Sequence, residues 1–228
     1  MNTRPPAALV FDAYGTLLDW THLATNLAGV VAEPCRFTAL WHQKVLEYTW
    51  LATAAERFEP LPEITHRALR FTAATWESEI PEKLQRELVE AWSNVPPHQG
   101  VREALARLGR SAPLVVLTNG TDAGARRALE HAGILRSFAH VLTAEHARAY
   151  KPSPRMYDLP LSVLGVARGD ILYVTGNGWD AAGAQLFGYR VCRVDKKNEP
   201  TERLAARPEL TVRHLGELAE RLAVPAAA

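Results

Sequence analysis

Three apolar segments of the chain end in small polar residues. They are Ala7 to Asp12 (AALVFD), Pro113 to Asn119 (PLVVLTN) and Asp170 to Asn177 (DILYVTGN). Continuous runs of β-branched and aromatic residues, without alternation of apolar and polar positions, are typical of strands buried on both faces of a parallel sheet. Shorter apolar segments around Val141 and Val191 predict two further strands.

Between these segments the apolar positions recur with a helical period. The patterns are VREALARLGR, DAGARRALEHAGI, PRMYDLPLSVLGV and WDAAGAQLFG. A glycine lies near the end of each, which predicts left-handed C-caps at Gly109, Gly133, Gly165 and Gly188. Alternation of strand and helix predicts an α/β fold with a doubly wound, mainly parallel, Rossmann-like sheet.

The segment from Thr21 to Pro97 departs from this alternation. It contains no strand-like run and reads as several amphipathic helices, among them FTALWHQKVLEYTWLATAAERF and ITHRALRFTAATWESEI. We therefore predict a helical subdomain inserted over residues 21–95, and a core domain made of residues 1–20 and 96–228. Five of the six tryptophans lie in or beside the insert and are expected to pack between its helices. The C-terminal VPAAA is expected to be frayed.

The composition of the chain argues against nucleic-acid binding and against a membrane-spanning protein. The chain has 26 basic and 25 acidic residues and a formal net charge of +1, so no overall field favours nucleic acid or an anionic membrane. No apolar run reaches the roughly 18 residues of a membrane span, and no secretory signal pattern precedes the first strand. Two distant cysteines, Cys35 and Cys192, predict free thiols in a reducing, cytoplasmic compartment.

The candidate catalytic and binding residues are expected at one edge of the predicted sheet. In open α/β sheets, ligands bind outside the carboxyl ends of the strands. A single polar residue there could be a helix cap, but several converge, together with a lysine in the AYKPSPRMY loop. These residues are Asp12, Thr16, Thr118, Asn119, Thr175, Asn177, Asp180 and Lys151.

Four short motifs carry a family resemblance. The segments DAYGTL (Asp12 to Leu17), TNG (Thr118 to Gly120), KP (Lys151 and Pro152) and GNGWD (Gly176 to Asp180) resemble, in order and spacing, the motifs of the haloacid dehalogenase superfamily. The resemblance covers essentially the whole chain and implies that superfamily's core, with the helical insert in the place of its cap. Most members are phosphatases, so the motifs alone do not define the reaction.

Two positions distinguish the branches of the superfamily. Its phosphatases have a second acid where this chain has Tyr14, whose unperturbed pKa of about 10 makes it a poor proton donor to a leaving alcohol. Asn177 replaces a carboxylate that a hard cation prefers. The chain instead resembles the L-2-haloacid dehalogenase branch, and Leu40 to Leu51 (LWHQKVLEYTWL) and the AYKPSPRMY segment are similar to stretches of that branch.

That resemblance implies hydrolysis of small 2-haloacids without a metal or other cofactor. Asp12 displaces the halide and forms an ester, and water then attacks the ester carbonyl. Lys151 keeps Asp12 ionised, and Asp180, fixed by Asn177, activates the water. The remaining positions are expected to contact the nucleophile, the substrate carboxylate or the halide (Thr16, Thr118, Thr175, Tyr157, Asn119), or to line the pocket (Ala13, Tyr14, Gln43, Leu46, Leu61, Trp179).

One residue departs from the branch. The branch has an arginine that receives the halide, and this chain has His42, which is shorter and has an unperturbed pKa near 6.5. We therefore expect His42 to bind substrate and to alter halide handling. Two alternatives remain open at this point: a phosphatase of a small phosphate ester, and a binding protein that keeps the fold without catalysis. Relatives often pair, so the resemblance also implies a homodimer.

Overall fold

A parallel sheet forms the centre of the molecule. The computed structural model describes residues 4–205 and 207–222; the VPAAA segment predicted to be frayed lies outside them. The strands are β1 (Ala8–Phe11), β2 (Leu114–Thr118), β3 (His140–Thr143), β4 (Ile171–Thr175), β5 (Arg190–Val194) and β6 (Leu210–Val212). Their order across the sheet is β3-β2-β1-β4-β5-β6, and every pair is parallel.

Strand β1 is central, and its position organises the functional edge. Val10 lies opposite Val115 of β2 on one side and Tyr173 of β4 on the other. All residues of β1, β2 and β4 are buried, as the apolar runs predict for strands covered on both faces. The carboxyl ends of these three neighbouring strands therefore meet at one edge of the sheet.

The predicted insert is helical. It contains α1 (Pro34–Ala54), α2 (Leu61–Thr75) and α3 (Glu82–Ala91), and short 3-10 turns at Trp20–Leu27 and Trp92–Asn94 border it. Trp41 of α1 is fully buried and donates its indole N–H to the Thr65 carbonyl of α2 at 2.9 Å, which joins the two helices. Trp50 does not pack between insert helices as predicted. Its side chain is partly exposed, and its ring meets Trp179 of the core edge-on.

Among the described residues, six α-helices follow the insert. They are α4 (Val101–Leu108), α5 (Asp122–His131), α6 (Ala144–Ala147), α7 (Pro154–Leu164), α8 (Gly178–Phe187) and α9 (Leu215–Leu222). Together with the sheet they confirm the doubly wound α/β fold. None of the helices in the described part of the chain is both long and apolar enough to cross a bilayer.

One local prediction is corrected, and one strand was not predicted. Gly133, Gly165 and Gly188 have positive φ as predicted, but Gly109 has φ −64° and is right-handed. A Cβ atom there would lie 3.2 Å from the Leu105 carbonyl oxygen, which is a tight contact. Strand β6 was not predicted, since three residues between Glu209 and Arg213 are too short a run to show a periodic pattern.

Candidate active site

The loop after β1 places Asp12 at the centre of the sheet edge. The Asp12 N–H still donates to the Val174 carbonyl at 3.0 Å, so the residue is held like a strand residue although it follows the strand. The chain then turns at Gly15, which has φ +83°. A Cβ atom at Gly176 would lie only 2.5 Å from the Gly15 carbonyl oxygen. The loops after β1 and β4 therefore approach each other closely because both carry glycine.

The two carboxylate oxygens of Asp12 have different surroundings. Oδ2 accepts from Thr16 Oγ1 at 2.7 Å, from Asn177 Nδ2 at 2.8 Å and, weakly, from Thr175 Oγ1 at 3.5 Å. Among the described residues, Oδ1 accepts only from Lys151 Nζ, at 2.7 Å. Hydrogen bonds to the ionised form favour it. The carboxylate is thus fixed through one oxygen, and the other retains a lone pair that can face a ligand.

Lys151 is a fully buried cation between two carboxylates. Its ammonium group donates to Asp12 Oδ1, to Asp180 Oδ2 at 3.0 Å and to Tyr173 Oη at 2.8 Å, which uses all three of its protons. Burial alone lowers the pKa of Lys151, but the charges of Asp12 and Asp180 outweigh that effect and hold the pKa above its ordinary value. Its backbone N–H donates to Asn119 Oδ1 at 2.9 Å.

Asp180 lies behind this lysine and has no exposed surface. Its Oδ1 accepts from Tyr157 Oη at 2.7 Å, and its Oδ2 accepts from Tyr173 Oη at 2.8 Å as well as from Lys151. Burial and the charge of Asp12 raise the pKa of Asp180, whereas Lys151 and the Tyr157 hydroxyl lower it. The net effect is a pKa above the ordinary value. Both oxygens are therefore committed to partners within the protein.

A small cavity of about 50 Å³ opens in front of Asp12, between the sheet edge and α1. Of the residues predicted for the site, nine line it: Asp12, Tyr14, His42, Leu46, Thr118, Asn119, Lys151, Asn177 and Trp179; so does Leu61, predicted as a wall residue. Val45, Thr49 and Trp92 also line the cavity and were not predicted. Val45 and Thr49 follow His42 and Leu46 at helical spacing, and that period could have identified them.

The other predicted residues do not line the cavity. Tyr157 and Thr175, predicted to contact substrate, are fully buried; the first donates to Asp180, and the second accepts from the Asn177 N–H at 3.1 Å. Thr16 and Asp180 likewise lie behind the nucleophile. Ala13 is buried and Gln43 is exposed, so neither is a wall. Sequence spacing indicates which strand end carries a residue, but it does not give the direction of its side chain.

Tyr173 is the polar residue of the network that the sequence analysis missed. It was assigned only to the apolar strand β4, yet its hydroxyl accepts from Lys151 and donates to Asp180. Tyr173 and Thr175 share one face of the strand, since side chains two residues apart point the same way. A tyrosine two positions before a candidate threonine was the available signal.

Two aromatic residues that line the cavity are held by specific contacts. The Tyr14 hydroxyl donates to the Trp92 carbonyl at 3.1 Å, and burial raises the pKa of Tyr14 well above its ordinary value. The His42 ring stacks on Trp20 at 4.0 Å between centroids and on Trp92 at 5.9 Å. Burial lowers the pKa of His42 to about 4, although Asp12 acts in the opposite direction. The imidazole is therefore neutral near pH 7.

Comparison with known proteins agrees with this geometry. The sequence pattern of haloacid dehalogenase-like hydrolases matches residues 6–188. The chain is 35% identical to (S)-2-haloacid dehalogenase 2 of Pseudomonas sp. (strain CBS-3), over 92% of this chain and 93% of that protein. It is 31% identical to haloacetate dehalogenase H-2 of Moraxella sp. (strain B), over 95% of this chain and 98% of that protein.

The fold leads to the same relatives. The structure of L-2-haloacid dehalogenase from Xanthobacter autotrophicus with chloropropionic acid covalently bound superposes with a TM-score of 0.89 and 29% identity, covering 97% of this chain and all of that one. The chain belongs to the haloacid dehalogenase-like hydrolase family. Its relatives within that family include (S)-2-haloacid and L-2-haloacid dehalogenases, which confirms the branch that the motifs indicated.

The buried charge triad generates a stability prediction. Lys151→Met leaves Asp12 and Asp180 without their shared cation, and breaking a buried ion pair costs about 3–5 kcal/mol of unfolding free energy. The repelling carboxyls then retain a proton that the unfolded chain releases, so the stability of the variant decreases as pH rises. We expect urea denaturation to show a larger loss of stability, relative to the native protein at the same pH, at pH 7 than at pH 5.

The matched control is Lys151→Met combined with Asp180→Asn, which removes one of the repelling charges. It should recover part of the loss at pH 7 and lose most of the dependence on pH. A loss of stability relative to the native protein that is equal at both pH values would contradict the assignment of Lys151 as the cation that holds the two carboxylates together.

Proposed function

We propose that this protein hydrolyses small 2-haloacids, such as haloacetates, to 2-hydroxy acids and halide through an ester of Asp12. The observation that carries the proposal is the asymmetric carboxylate at the cavity. Asp12 Oδ2 is tied to Thr16 and Asn177, and Oδ1 is held by Lys151 alone among the described residues. This is the arrangement of an ionised, oriented nucleophile.

In the first step, Asp12 Oδ1 attacks the halogen-bearing carbon in line, and the halide departs with the bonding electrons. A halide leaves as an anion and needs no proton. The wall agrees with this requirement, because the Tyr14 hydroxyl donates to the Trp92 carbonyl and holds no acidic proton for a leaving group. Displacement from the side opposite the halogen inverts the configuration at that carbon.

In the second step, water attacks the carbonyl carbon of the Asp12 ester. Oδ2 becomes the carbonyl oxygen and gains negative charge as the tetrahedral intermediate forms. Thr16 Oγ1 and Asn177 Nδ2 already donate to Oδ2 at 2.7 and 2.8 Å. Preorganised donors at an oxygen where charge develops stabilise the transition state. We assign Thr16 and Asn177 this role, in addition to orienting the nucleophile.

Asp180 fits a positioning role better than the predicted activation of water. Its two oxygens accept from Tyr157, Tyr173 and Lys151, and no part of it is exposed. It holds the ammonium group of Lys151 against Asp12. The ammonium group in turn places its positive charge 2.7 Å from Asp12 Oδ1.

Substrate binding is assigned to the polar and apolar walls of the cavity. Asn119 Oδ1 accepts a hydrogen bond from the Lys151 N–H, so the amide N–H groups of Asn119 are available to a substrate carboxylate, next to the Thr118 hydroxyl. Leu46 and Trp179 provide apolar surface beside the carbon chain. The small volume of the cavity favours haloacids with short chains.

A phosphatase reading fits the site less well. Asn177 directs its amide N–H toward Asp12 Oδ2, where a magnesium-dependent enzyme needs oxygen ligands. The second carboxylic acid of such a phosphatase is replaced here by Tyr14, whose hydroxyl donates to the Trp92 carbonyl. A binding protein without catalysis would have no use for a buried lysine paired with a carboxylate at a cavity. The named dehalogenase relatives agree with the first reading.

We also propose a cytoplasmic homodimer with no partner other than substrate and water. Cys35 and Cys192 are free, as a reducing compartment allows. Trp50, Leu51 and Phe71 of the insert helices expose apolar surface of the kind that a second copy would cover.

Sedimentation equilibrium should give twice the monomer mass, and a monomer at micromolar concentration would exclude the pairing. Cell fractionation tests the location.

The direct test of activity is halide release from chloroacetate. We expect release by the native protein, equally with and without a chelator, and no turnover of an aryl phosphate. Asp12→Asn removes the charge of the nucleophile and should reduce the rate at least about 1,000-fold, in the range that loss of a nucleophile costs. Asp158→Asn, an exposed carboxylate change on α7, is the matched control and should keep the native rate.

Chelator-sensitive hydrolysis of the phosphate with no halide release would replace this function by the phosphatase one. Absence of both activities would favour the binding protein.

A further inference from the structure

A second lysine reaches the loop that follows β1. Lys196 comes two residues after the end of β5, outside the four motifs, and it does not line the cavity. Its ammonium group donates to the Gly15 carbonyl at 2.8 Å and to the Thr16 carbonyl at 3.3 Å. These two carbonyl groups lie on either side of the Thr16 Cα atom. Lys196 therefore binds the backbone at the residue whose hydroxyl donates to Asp12.

The two short hydrogen bonds to Asp12 Oδ2 depend on the position of this loop. The Thr16 hydroxyl donates its single proton to Oδ2 at 2.7 Å and accepts from the Gly176 N–H at 2.8 Å, so the backbone that carries it sets its direction. The amide of Asn177 donates to Oδ2 at 2.8 Å and to the Tyr14 carbonyl at 2.9 Å. A displacement of the loop would thus misalign both donors at the oxygen on which charge develops.

The lysine itself projects from a fixed point. The preceding residue, Asp195, extends the pairing of β5 with β6, because its N–H donates to the Val212 carbonyl at 2.7 Å. Its carboxylate accepts from the Glu199 N–H at 3.0 Å, which closes the turn after the strand. The sheet therefore holds the backbone of Lys196 in place beside the loop after β1.

We propose that Lys196 is a positioning residue whose ammonium form holds the loop after β1, so that Thr16 and Asn177 stay aligned on Asp12. This inference rests on the proposed function. A charge-assisted hydrogen bond is roughly twice as strong as a neutral one. A neutral amine at this place could still reach the two carbonyl groups, but only through the weaker bonds. Activity therefore depends on the charge of Lys196, although the residue does not touch the reacting atoms.

The surroundings of Lys196 place its titration in the alkaline range. Burial against the loop lowers the pKa of Lys196 to about 8, and Lys197 acts in the same direction, whereas Asp19 and Asp12 raise it. His98 also faces Lys196, and burial lowers the pKa of His98 to about 4, so this imidazole is neutral at pH 7. The ammonium group of Lys196 is therefore present below pH 8 and is lost as pH rises further.

The test is the pH dependence of halide release from chloroacetate between pH 6 and 10. The native kcat should fall as pH rises through about 8. Lys196→Arg should keep the native kcat at pH 7 and shift this fall upward by at least about one pH unit, because a guanidinium group stays charged. Lys151 does not produce such a fall, because its pKa is held above the ordinary value.

The variant without a charge separates positioning from binding. Lys196→Met should lower kcat at pH 7 about 10-fold, as loss of a charge-assisted hydrogen bond does, with little change in KM. It should also remove the fall near pH 8. Lys197→Met is the matched control, an exposed charge change at the next position. It should keep the native kcat at pH 7 and move the fall slightly upward, because Lys197 lowers the pKa of Lys196.

A native kcat that does not fall near pH 8 would overturn the proposal, and so would a fall that Lys196→Arg leaves unmoved. A native kcat at pH 7 in Lys196→Met would overturn it as well. If the methionine variant does not fold in urea denaturation controls, the shift in Lys196→Arg decides. Failure of the proposed function is distinguishable, because the native protein would then release no halide at any pH.

Discussion

The buried ammonium group of Lys151 is the constraint on which the rest of the site depends. A lysine that is 1% exposed is stable only if its charge is paired and its protons are bound. Asp12, Asp180 and Tyr173 satisfy that need, and each comes from a different element: the end of β1, the first turn of α8 and the body of β4. The order of the strands makes this arrangement possible. Because β1 and β4 are neighbours, Asp12, Tyr173 and Asp180 all lie within 3.0 Å of Lys151 Nζ.

The same constraint makes the two oxygens of Asp12 unequal. Lys151 approaches Oδ1, and Thr16 and Asn177 hold Oδ2. The first oxygen is placed to attack and the second to accept charge when the ester is hydrolysed. Opposite them, α1 supplies a face of the cavity on which the His42 ring is fixed by Trp20 and Trp92. A rigid core edge thus provides the nucleophile, and the insert provides the facing wall.

Much of this organisation could be predicted from the sequence, and the exceptions have physical reasons. Long apolar runs identify β1, β2 and β4 because both faces of these strands are buried, whereas β6 is too short to carry a pattern. Motif residues such as Asp12, Asn119 and Lys151 mark the functional edge. The direction of a side chain is not encoded in spacing, so Tyr157 was expected to contact substrate but instead supports Asp180. Tyr173 resembled a core strand residue, and the stacking of His42 depends on tertiary packing of segments 22 and 50 positions away.

The central claim is that an oxygen of Asp12, and not of water, forms the new bond to the substrate carbon. A single turnover of chloroacetate in water enriched in ¹⁸O, with enzyme in excess, measures this directly. The account predicts that the hydroxyl oxygen of the product is unlabelled and that the label appears in the carboxylate of Asp12. Label in the product hydroxyl after the first turnover, with none in Asp12, would contradict it.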